Sequence, residues 1–388
     1  MMFHAPNPRT PVFWARDLWD RLRGRHERPL GRWGWYRPPR GPGPLVWVYA
    51  PDCSGARVGA EVVRGIRSVR VDVRAVVTAD WGCTDTLRPL LQEYPGTATA
   101  PAVIDHRRAA SRAAERLGPN GLLTVHSLPP PEFLKGVAAA AVPLTAVSCE
   151  PPRMELSGLR FEHILPVGHA QAARWREAGY APEEPVDLEL FLARTDVEPN
   201  FKAALAPGEG RRLVWADGLP KDDAERTAFL ARWADEGHVP VIGGKGPGEG
   251  HGKPVVRLSD WDRDRRPVEA GTLVWMDEER WLPAVTASAF AGVLVDPSRQ
   301  AVWQALASGL PAVTIGVGSA KLRDLGVEPE TATYVAEDWE AVSEQLGRWE
   351  AEPFTWRDQQ AATRRAYWQA RHRAEAAMAI LDHWADRW

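Results

Sequence analysis

A carboxylate, Asp52, stands in the polar turn of the stretch VWVYAPDCSGARVGAEVV, which runs from Val46 to Val63. The apolar run before the turn predicts a strand and the residues after it predict a helix, so Asp52 follows the carboxyl end of a strand. Many α/β enzymes place a catalytic group at such a turn. A carboxylate there can take a proton from a substrate hydroxyl, or it can cap the helix that follows, and the sequence leaves both roles open.

Two stretches of the second half could bind a phosphate. The glycine-rich stretch GGKGPGEGHGK (243–253) could offer backbone N–H groups together with Lys245 and Lys253. It is not a P-loop, because proline rather than Ser or Thr follows Lys253, and a solvated loop is the alternative. The start of a later predicted helix could bind phosphate or form an ordinary polar cap, and it carries Ser298, Arg299 and Gln300.

The composition argues against several classes of site. Three cysteines, Cys53, Cys83 and Cys149, are scattered without a CxxC pair, which argues against a disulfide framework and a zinc site and fits a reducing cytosol. The ten histidines form no HExxH or HxxxH cluster, so we expect no catalytic metal, and nothing in the sequence calls for a cofactor. A net charge of −3 gives no reason to expect nucleic-acid binding.

Short β-branched runs alternate with helical stretches along the body of the chain. In the first half the predicted strands are 45–50, 71–78, 101–105, 121–126, 143–148 and 163–168. In the second half they are 211–217, 238–244, 253–258, 271–276, 291–296 and 311–316. Near-continuous apolar strands between helices are typical of a parallel sheet covered on both faces, so the predicted fold class is α/β, with two Rossmann-like doubly wound domains facing a cleft.

A stretch rich in proline and acidic residues, near 182–208, is the best candidate for an interdomain boundary. We therefore predict one domain over 41–190 and a second over 205–352. The last stretch, 353–388, has the pattern of one long amphipathic helix.

The N-terminal segment, 1–40, is basic and aromatic, with nine arginines against three acidic residues. Phe13, Trp14, Leu18 and Leu22 recur at helical spacing, so one face is apolar and its flanks are cationic. Such a segment can lie in the interface of an anionic bilayer. The alternative is a helix that packs its aromatic face on the protein and is followed by a polar linker.

Several stretches resemble one family of glycosyltransferases. VWVYAPDCSG is similar to the vWvHavSvGE segment of the bacterial 3-deoxy-D-manno-octulosonic acid (Kdo) transferases, which attach Kdo to lipid A. FEHILPVGHAQAARWREAGY and LVWMDEERWLPAVTASAFAGVLVDPSRQAVWQALASGLPAV follow in the order of that family. In the residue pattern of its segments and in their order, the resemblance covers nearly the whole chain. It implies a GT-B fold with an N-terminal acceptor domain, a C-terminal nucleotide-sugar domain and a C-terminal helix that crosses back.

Positions that carry charge in that family are replaced in this chain. Gly55 stands where the family is expected to have the Glu that acts as general base, which makes Asp52 the nearest substitute. The two Glu positions of the ETELWPN segment become Val125 and Ser127. The candidate donor-binding residues, from the resemblance and from the phosphate argument, are Gly243, Gly244, Lys245, Glu279, Ser298, Arg299, Gln300 and Gln304.

The resemblance implies a Kdo transferase-like enzyme at the cytoplasmic face of the bacterial inner membrane, with CMP-Kdo as donor and a lipid A precursor as acceptor. Such chemistry needs a carboxylate or histidine near the acceptor hydroxyl and positive charge or helix N-termini near the leaving phosphate. Because the charged positions are replaced, a non-catalytic paralogue that binds lipid or a partner is the alternative. A glycosyltransferase with a different donor is a third hypothesis.

Overall fold

The computed structural model describes residues 11–79, 83, 87, 89, 92–152, 159–194, 200–208, 210–235, 238–244, 246–247 and 252–388. The chain divides into two compact units. The first extends to Phe191 and includes Arg373–Trp388, and the second spans Leu192–His372. Each unit is built on a parallel α/β sheet of the Rossmann type, which confirms the fold class predicted from the sequence.

The first unit is built on a six-stranded sheet in the order β3-β2-β1-β4-β5-β6, with every described pair of strands parallel. The strands are β1 Leu45–Tyr49, β2 Arg74–Ala79, β3 Thr97–Pro101, β4 Gly121–Val125, β5 Leu144–Val147 and β6 Phe161–Leu165. The two central strands, β1 and β4, are buried along their whole length. Strands that are covered on both faces read as continuous apolar runs, which is why the sequence pattern locates them.

The helices of the first unit connect these strands and cover the sheet. They are Cys53–Val69, Arg107–Leu117, Pro131–Ala139 and His169–Glu177, with a 3₁₀ helix at Leu188–Leu192. The Cys53–Val69 helix begins at an N-cap, Asp52, whose carboxylate accepts the Gly55 N–H at 2.7 Å. A Cβ atom at Gly59 would lie 2.9 Å from Val48 Cγ1, so this glycine lets the helix lie close against β1.

The N-terminal segment is helical at Pro11–Leu22 and Glu27–Arg32 and packs on the first unit through a few residues. Phe13 and Tyr36 are buried in its hydrophobic core, and the Tyr36 hydroxyl donates to the Pro101 carbonyl oxygen at 2.5 Å. Trp14 and Trp19 are exposed, so the two tryptophans of the first helix are not part of that core. The described residues contain no helix long and apolar enough to cross a membrane.

The second unit is built on a seven-stranded parallel sheet in the order β13-β12-β11-β7-β8-β10-β9. Its strands are β7 Leu213–Ala216, β8 Val239–Ile242, β9 Val255–Arg257, β10 Leu273–Trp275, β11 Ala291–Leu294, β12 Ala312–Ile315 and β13 Tyr334–Ala336. Its helices are Phe201–Leu205, Asp223–Asp235, Leu258–Asp264, Leu282–Ser288, Arg299–Ser308, Val317–Asp324, Pro329–Ala332 and Trp339–Ala351, with a 3₁₀ helix at Glu279–Trp281.

The C-terminal helix, Pro353–Asp386, is 34 residues long and contributes to both units. Within the second unit, Thr363 Oγ1 donates to the Ala332 carbonyl oxygen at 2.8 Å. Within the first unit, the Trp384 indole N–H donates to Glu162 Oε2 at 2.7 Å. Each half of the helix is therefore held by hydrogen bonds inside the unit to which it belongs.

Two expectations from the sequence are corrected. The run at 101–105 is not a strand: β3 ends at Pro101, and the apolar residues after it are buried as irregular chain, where Ile104 N donates to the Arg32 carbonyl oxygen. The argument against a disulfide is also wrong, because Cys53 and Cys83 are bonded, with their Cα atoms 5.0 Å apart. Cys53 directly follows the turn after β1, and Cys83 lies beyond the end of β2, so neighbouring parallel strands bring the two together.

We expect the Cys53–Cys83 bond to stabilise the first unit. It closes a loop with a sequence separation of 30 residues, for which the chain-entropy relation gives about 3.7 kcal/mol of stabilisation. Reduction with dithiothreitol should therefore lower the thermal unfolding temperature. The double variant Cys53→Ser/Cys83→Ser is the control, and its unfolding temperature should not respond to dithiothreitol. An equal unfolding temperature for the wild-type protein with and without reductant would contradict the expectation.

Candidate functional site

The first sheet has a topological switch point between β1 and β4. The chain runs from β1 outward through β2 to β3 and then returns to β4 on the other side of β1, so the two connections leave the sheet in opposite directions. Tyr49 lies opposite Thr124 in the register of the two strands, so the chain leaves both strands side by side. In open parallel sheets, ligands bind beyond the carboxyl ends of the strands at such a point.

Four polar side chains meet at this switch point. His126, which follows β4, lies between two carboxylates: its Nδ1 is 3.4 Å from Asp52 Oδ1, and its Nε2 is 3.3 Å from Glu189 Oε1. Ser54 Oγ donates to the same Glu189 oxygen at 2.9 Å. Asp52 and Ser54 come from the turn after β1, and Glu189 comes from the 3₁₀ helix Leu188–Leu192. One imidazole is thus held by carboxylates from two other parts of the chain.

The members of this cluster differ in exposure. The side chain of Asp52 is 33% exposed, whereas those of His126 and Glu189 are 10% and 6% exposed. The Asp52 side of the imidazole is therefore the side that a ligand can reach from solvent, and the Glu189 side is closed. His126 also has a φ of 66°, which is uncommon for a residue other than glycine. Backbone strain of this kind concentrates at functional sites.

The charge of Asp52 is stabilised by its surroundings. Burial alone would raise the pKa of Asp52, but the hydrogen bonds from His126 and from the Gly55 N–H outweigh it and hold the pKa below its usual range. A carboxylate with a lowered pKa is a good hydrogen-bond acceptor and a weak base. Asp52 is therefore better suited to orient and stabilise a protonated His126 than to remove a proton itself.

Gly55, the position at which the Kdo transferases are expected to have their Glu, lies directly beside this cluster. A Cβ atom built on Gly55 would lie 3.4 Å from His126 Cγ, 3.4 Å from Asp52 Oδ1 and 3.3 Å from the Val125 carbonyl oxygen. These are tight contacts, and a longer side chain would need the space that the imidazole occupies. The absence of a side chain at Gly55 and the presence of His126 are thus structurally linked.

The second sheet has its own switch point, between β7 and β11. Asp217 follows β7, and its Oδ1 accepts the Val295 N–H, which follows β11, at 2.7 Å. Burial raises the pKa of Asp217 to about 7, although the Val295 hydrogen bond and the charge of Lys321 act in the opposite direction. Lys321 pairs with Asp296 at 2.5 Å and donates to the Pro297 carbonyl oxygen at 2.8 Å. A carboxyl group and an ammonium group therefore stand together where a Rossmann-like sheet binds ligands.

The candidate donor residues are spread over the second unit. Gly243 and Gly244 follow β8, and a Cβ atom at Gly244 would lie 3.2 Å from the Asp217 carbonyl oxygen, so this glycine pair borders the second switch point. Ser298 is the N-cap of the Arg299–Ser308 helix and accepts the Ala301 N–H at 3.1 Å. Arg299 and Gln300 are half-buried in the first turn of that helix, and Glu279 is exposed in the 3₁₀ helix Glu279–Trp281. Lys245 lies outside the described residues.

Gln304 has a structural role in the second unit. It is buried, its Oε1 accepts the Arg194 N–H at 2.9 Å, and its Nε2 donates to the Arg194 carbonyl oxygen at 2.7 Å. The Gln304 amide thus makes the two hydrogen bonds to the Arg194 backbone that a neighbouring strand would otherwise make. Because both ends of the side chain are already used inside the protein, we leave Gln304 out of the proposed donor site.

Sequence reasoning missed residues of both sites. His126 lies between Val125 and Ser127, the two positions that the family resemblance singled out, and a histidine directly after a buried strand was a usable signal. Asp217 likewise follows a buried strand. Glu189 lies in an irregular stretch at the predicted domain boundary, where no periodicity marks it.

A separate surface cavity of about 870 Å³ lies along edge strand β9 of the second unit. Its lining includes Arg257, Trp261 and Trp275 and shares no residue with either switch point. The Arg257 guanidinium lies 4.8 Å from the centre of the Trp275 ring and so covers one face of it. Within the described ranges, no group of three or more His, Cys, Asp or Glu side chains is arranged to hold a metal ion.

A comparison with known protein families finds no match, and neither does a comparison with curated proteins. Solved structures do match. UDP-GlcNAc 2-epimerase from Neisseria meningitidis, bound to UDP-GlcNAc, is similar with a TM-score of 0.56 and 9% identity, over 83% of this chain and 95% of that one. UGT2 from Phytolacca americana, complexed with UDP-2-fluoro-glucose and pterostilbene, is similar with a TM-score of 0.53 and 11% identity, over 90% of this chain and 100% of that one. Alr3699/HepE from Anabaena, in complex with UDP and glucose, is similar with a TM-score of 0.51 and 11% identity, over 88% of this chain and 98% of that one.

These similarities show the fold, the GT-B type, with two Rossmann-like units in one chain. They do not specifically support the Kdo transferases. The C-terminal CMP-Kdo binding domain of WaaA from Acinetobacter baumannii matches with a TM-score of only 0.33 over 41% of this chain, which is too low to indicate a relationship.

Substitutions at Asp52 can separate its two local roles. Asp52→Asn keeps an oxygen that can accept the Gly55 N–H, whereas Asp52→Ala removes the cap and should cost about 1 kcal/mol of stability. Because the pKa of Asp52 is lowered on folding, its charge stabilises the protein at neutral pH, and this contribution is lost as the pH falls through the lowered pKa. Urea unfolding should therefore rank wild type above Asp52→Asn above Asp52→Ala at pH 7, and the gap between wild type and Asp52→Asn should close in acid. A constant gap at all pH values would contradict the role of the charge.

Asp217 should make the second unit less stable as the pH rises. Its pKa in the folded protein, about 7, is above that of the unfolded chain, so its contribution is fully present below about pH 4 and is lost as the pH rises to about 7. Each unit of difference between the folded-state and unfolded-state pKa values of Asp217 corresponds to about 1.4 kcal/mol of unfolding free energy. Asp217→Asn keeps the acceptor for Val295 N–H and removes the titration, so we expect it to unfold at higher urea concentration than wild type at pH 8. At pH 4 and below the two proteins should unfold at similar urea concentrations. A difference that does not depend on pH would show that Asp217 does not titrate in this range.

Proposed function

We propose that this protein is a glycosyltransferase that uses a nucleotide-sugar donor, with His126 as the residue that removes the proton from the acceptor hydroxyl. The observation that carries the proposal is the position of His126 between Asp52 and Glu189 at the switch point of the first sheet. The GT-B fold supports it, and so does the nucleotide sugar or nucleotide bound in the similar structures.

The geometry supports a division of roles among the three side chains. Glu189 is the more buried carboxylate, and Ser54 fixes it, so it can hold the Nε2–H of a neutral imidazole. In that neutral form Nδ1 carries no proton, so an acceptor hydroxyl that enters on the more exposed Asp52 side can reach it, and Nδ1–H donates to Asp52 only once His126 is protonated. When Nδ1 takes the proton, an imidazolium forms between two carboxylates, and both stabilise its charge. The bond that breaks is the one between the sugar and the nucleotide phosphate, and the new bond joins the sugar to the acceptor oxygen.

The second switch point is our candidate for the donor nucleotide. The Lys321 ammonium can lie near the donor phosphate, and the helix that begins at Ser298 offers backbone N–H groups at its N-terminus. Gly243 and Gly244 leave room for a ligand to approach the backbone there. Asp217 adds a carboxyl group whose raised pKa lets it act as donor or acceptor near neutral pH.

The finer identity rests on the sequence resemblance. By that resemblance the donor is CMP-Kdo, the acceptor is a lipid A precursor, and the protein works at the cytoplasmic face of the bacterial inner membrane. A non-catalytic paralogue and a transferase with another donor stay as alternatives. UDP-GlcNAc 2-epimerases are among the similar structures, so conversion of a nucleotide sugar without an acceptor is a further outcome to test.

The test is turnover with CMP-Kdo and a lipid A precursor, followed by UDP-GlcNAc with and without the same acceptor, with products identified by mass spectrometry. We expect His126→Asn to lower kcat about 10²- to 10⁴-fold. Glu189→Gln keeps the shape and loses the charge, and it should lower kcat by a smaller factor because the imidazolium keeps one carboxylate. Absence of turnover with every donor and acceptor pair would favour the non-catalytic alternative.

His163 provides a matched control in the same unit. Its Nδ1 lies 3.1 Å from Glu183 Oε1, so it is also a half-buried histidine beside a carboxylate, but it lies in β6 and away from the switch point. His163→Asn should leave kcat near that of the wild type. Equal losses in His163→Asn and His126→Asn would indicate a general effect on folding and would remove the support for His126 as base.

A further inference from the structure

The Pro11–Leu22 helix has its polar and apolar faces reversed relative to an ordinary surface helix. Asp17 and Asp20 are buried against the protein, together with Phe13. The apolar side chains Val12, Leu18 and Leu22 point to solvent. A helix at the surface of a globular protein normally turns its apolar face to the core, so this orientation needs a cause.

The cause is a buried ion cluster. The Arg32 guanidinium donates to Asp17 Oδ1 at 2.8 Å and to Asp20 Oδ2 at 2.5 Å, and all three side chains are almost fully buried. Arg28 adds a contact to Asp20 Oδ1 at 3.2 Å. Turning the apolar face inward would move Asp17 and Asp20 to the solvent side and leave Arg32 buried without its partners, which is strongly destabilising. The ion cluster therefore fixes the helix with its apolar face outward.

The outward face is continuous and large. Residues 11, 15, 18 and 22 follow helical spacing along one line, and each is apolar. Val12 is 76% exposed and Leu22 is 73% exposed, while Trp14, Leu18 and Trp19 are each more than half exposed. Single exposed apolar residues need no explanation, but a contiguous exposed patch marks an interaction surface.

The charges beside this face are of one sign. Arg16 and Arg21 lie on the two edges of the apolar line, and the Arg23 guanidinium lies 4.3 Å from the centre of the Trp19 ring. Among residues 11–40, the acidic side chains Asp17 and Asp20 are buried in the ion cluster and only Glu27 is exposed. The partner that fits is therefore apolar in its interior and negatively charged at its surface.

We propose that the outward face of the Pro11–Leu22 helix docks in the interface of a lipid bilayer that contains anionic lipids. Leucine and valine side chains would enter the acyl region, the tryptophan rings would lie at the headgroup level, and the arginines would contact the lipid phosphates. A second copy of the chain fits less well, because pairing two such faces brings like charges together. This inference does not depend on the proposed activity.

The test is co-sedimentation of the full chain with phosphatidylcholine vesicles, with and without phosphatidylglycerol. We expect binding that increases with the anionic lipid and weakens with salt. Leu18→Glu/Leu22→Glu should abolish binding. Arg16→Gln and Arg23→Gln should each weaken it about fivefold, since one basic residue near an anionic surface contributes about 1 kcal/mol.

Val71→Glu is the matched control, because Val71 is 75% exposed in the same unit and lies outside the helix. It should bind vesicles as the wild type does, and all variants should keep the wild-type unfolding temperature because the changed side chains are exposed. The proposal is overturned if the wild type does not bind anionic vesicles, or if Leu18→Glu/Leu22→Glu binds equally well. It is also overturned if that variant only converts a wild-type dimer to a monomer, which would assign the face to a second copy of the chain.

Discussion

The connectivity of the parallel sheets is the constraint on which the candidate sites depend. In each unit the first strand of the sheet has its sequence successor on one side and a much later strand on the other. The connections therefore diverge at β1 and β4, and again at β7 and β11, and leave room beyond the strand ends. Asp52 meets His126 in the first unit for this reason, and Asp217 meets the Val295 N–H in the second.

The ionisable side chains that are mostly buried in this protein have three different kinds of surroundings. Arg32 is matched by Asp17 and Asp20, an arrangement that fixes the orientation of a helix. His126 lies between the carboxylates of Asp52 and Glu189. Asp217 has no cation in direct contact at its carboxylate among the described bonds, and its pKa rises to about 7. The first arrangement is structural, whereas each of the other two holds a group that can exchange a proton.

The sequence predicts the fold better than the site, for physical reasons. Buried parallel strands read as apolar runs, so most of their positions could be predicted, but burial also explains the error at 101–105, where apolar residues are buried outside a strand. The Cys53–Cys83 bond joins residues brought together by strand pairing, which scattered spacing does not reveal. Glu189 reaches His126 from a short 3₁₀ helix that no sequence periodicity marks, and only the three-dimensional structure shows that contact.

The replacement of the expected general base by Gly55 has a different interpretation once the neighbouring His126 is considered. Taken alone, a glycine in place of an expected general base indicates lost chemistry. The structure places the His126 ring 3.4 Å from the position that a Cβ atom on Gly55 would occupy. A group that can exchange a proton thus stands beside the position that lacks one, and it is supplied by a different strand. Because geometry rather than sequence position defines an acid–base site, the loss of a motif does not by itself establish the loss of its chemistry.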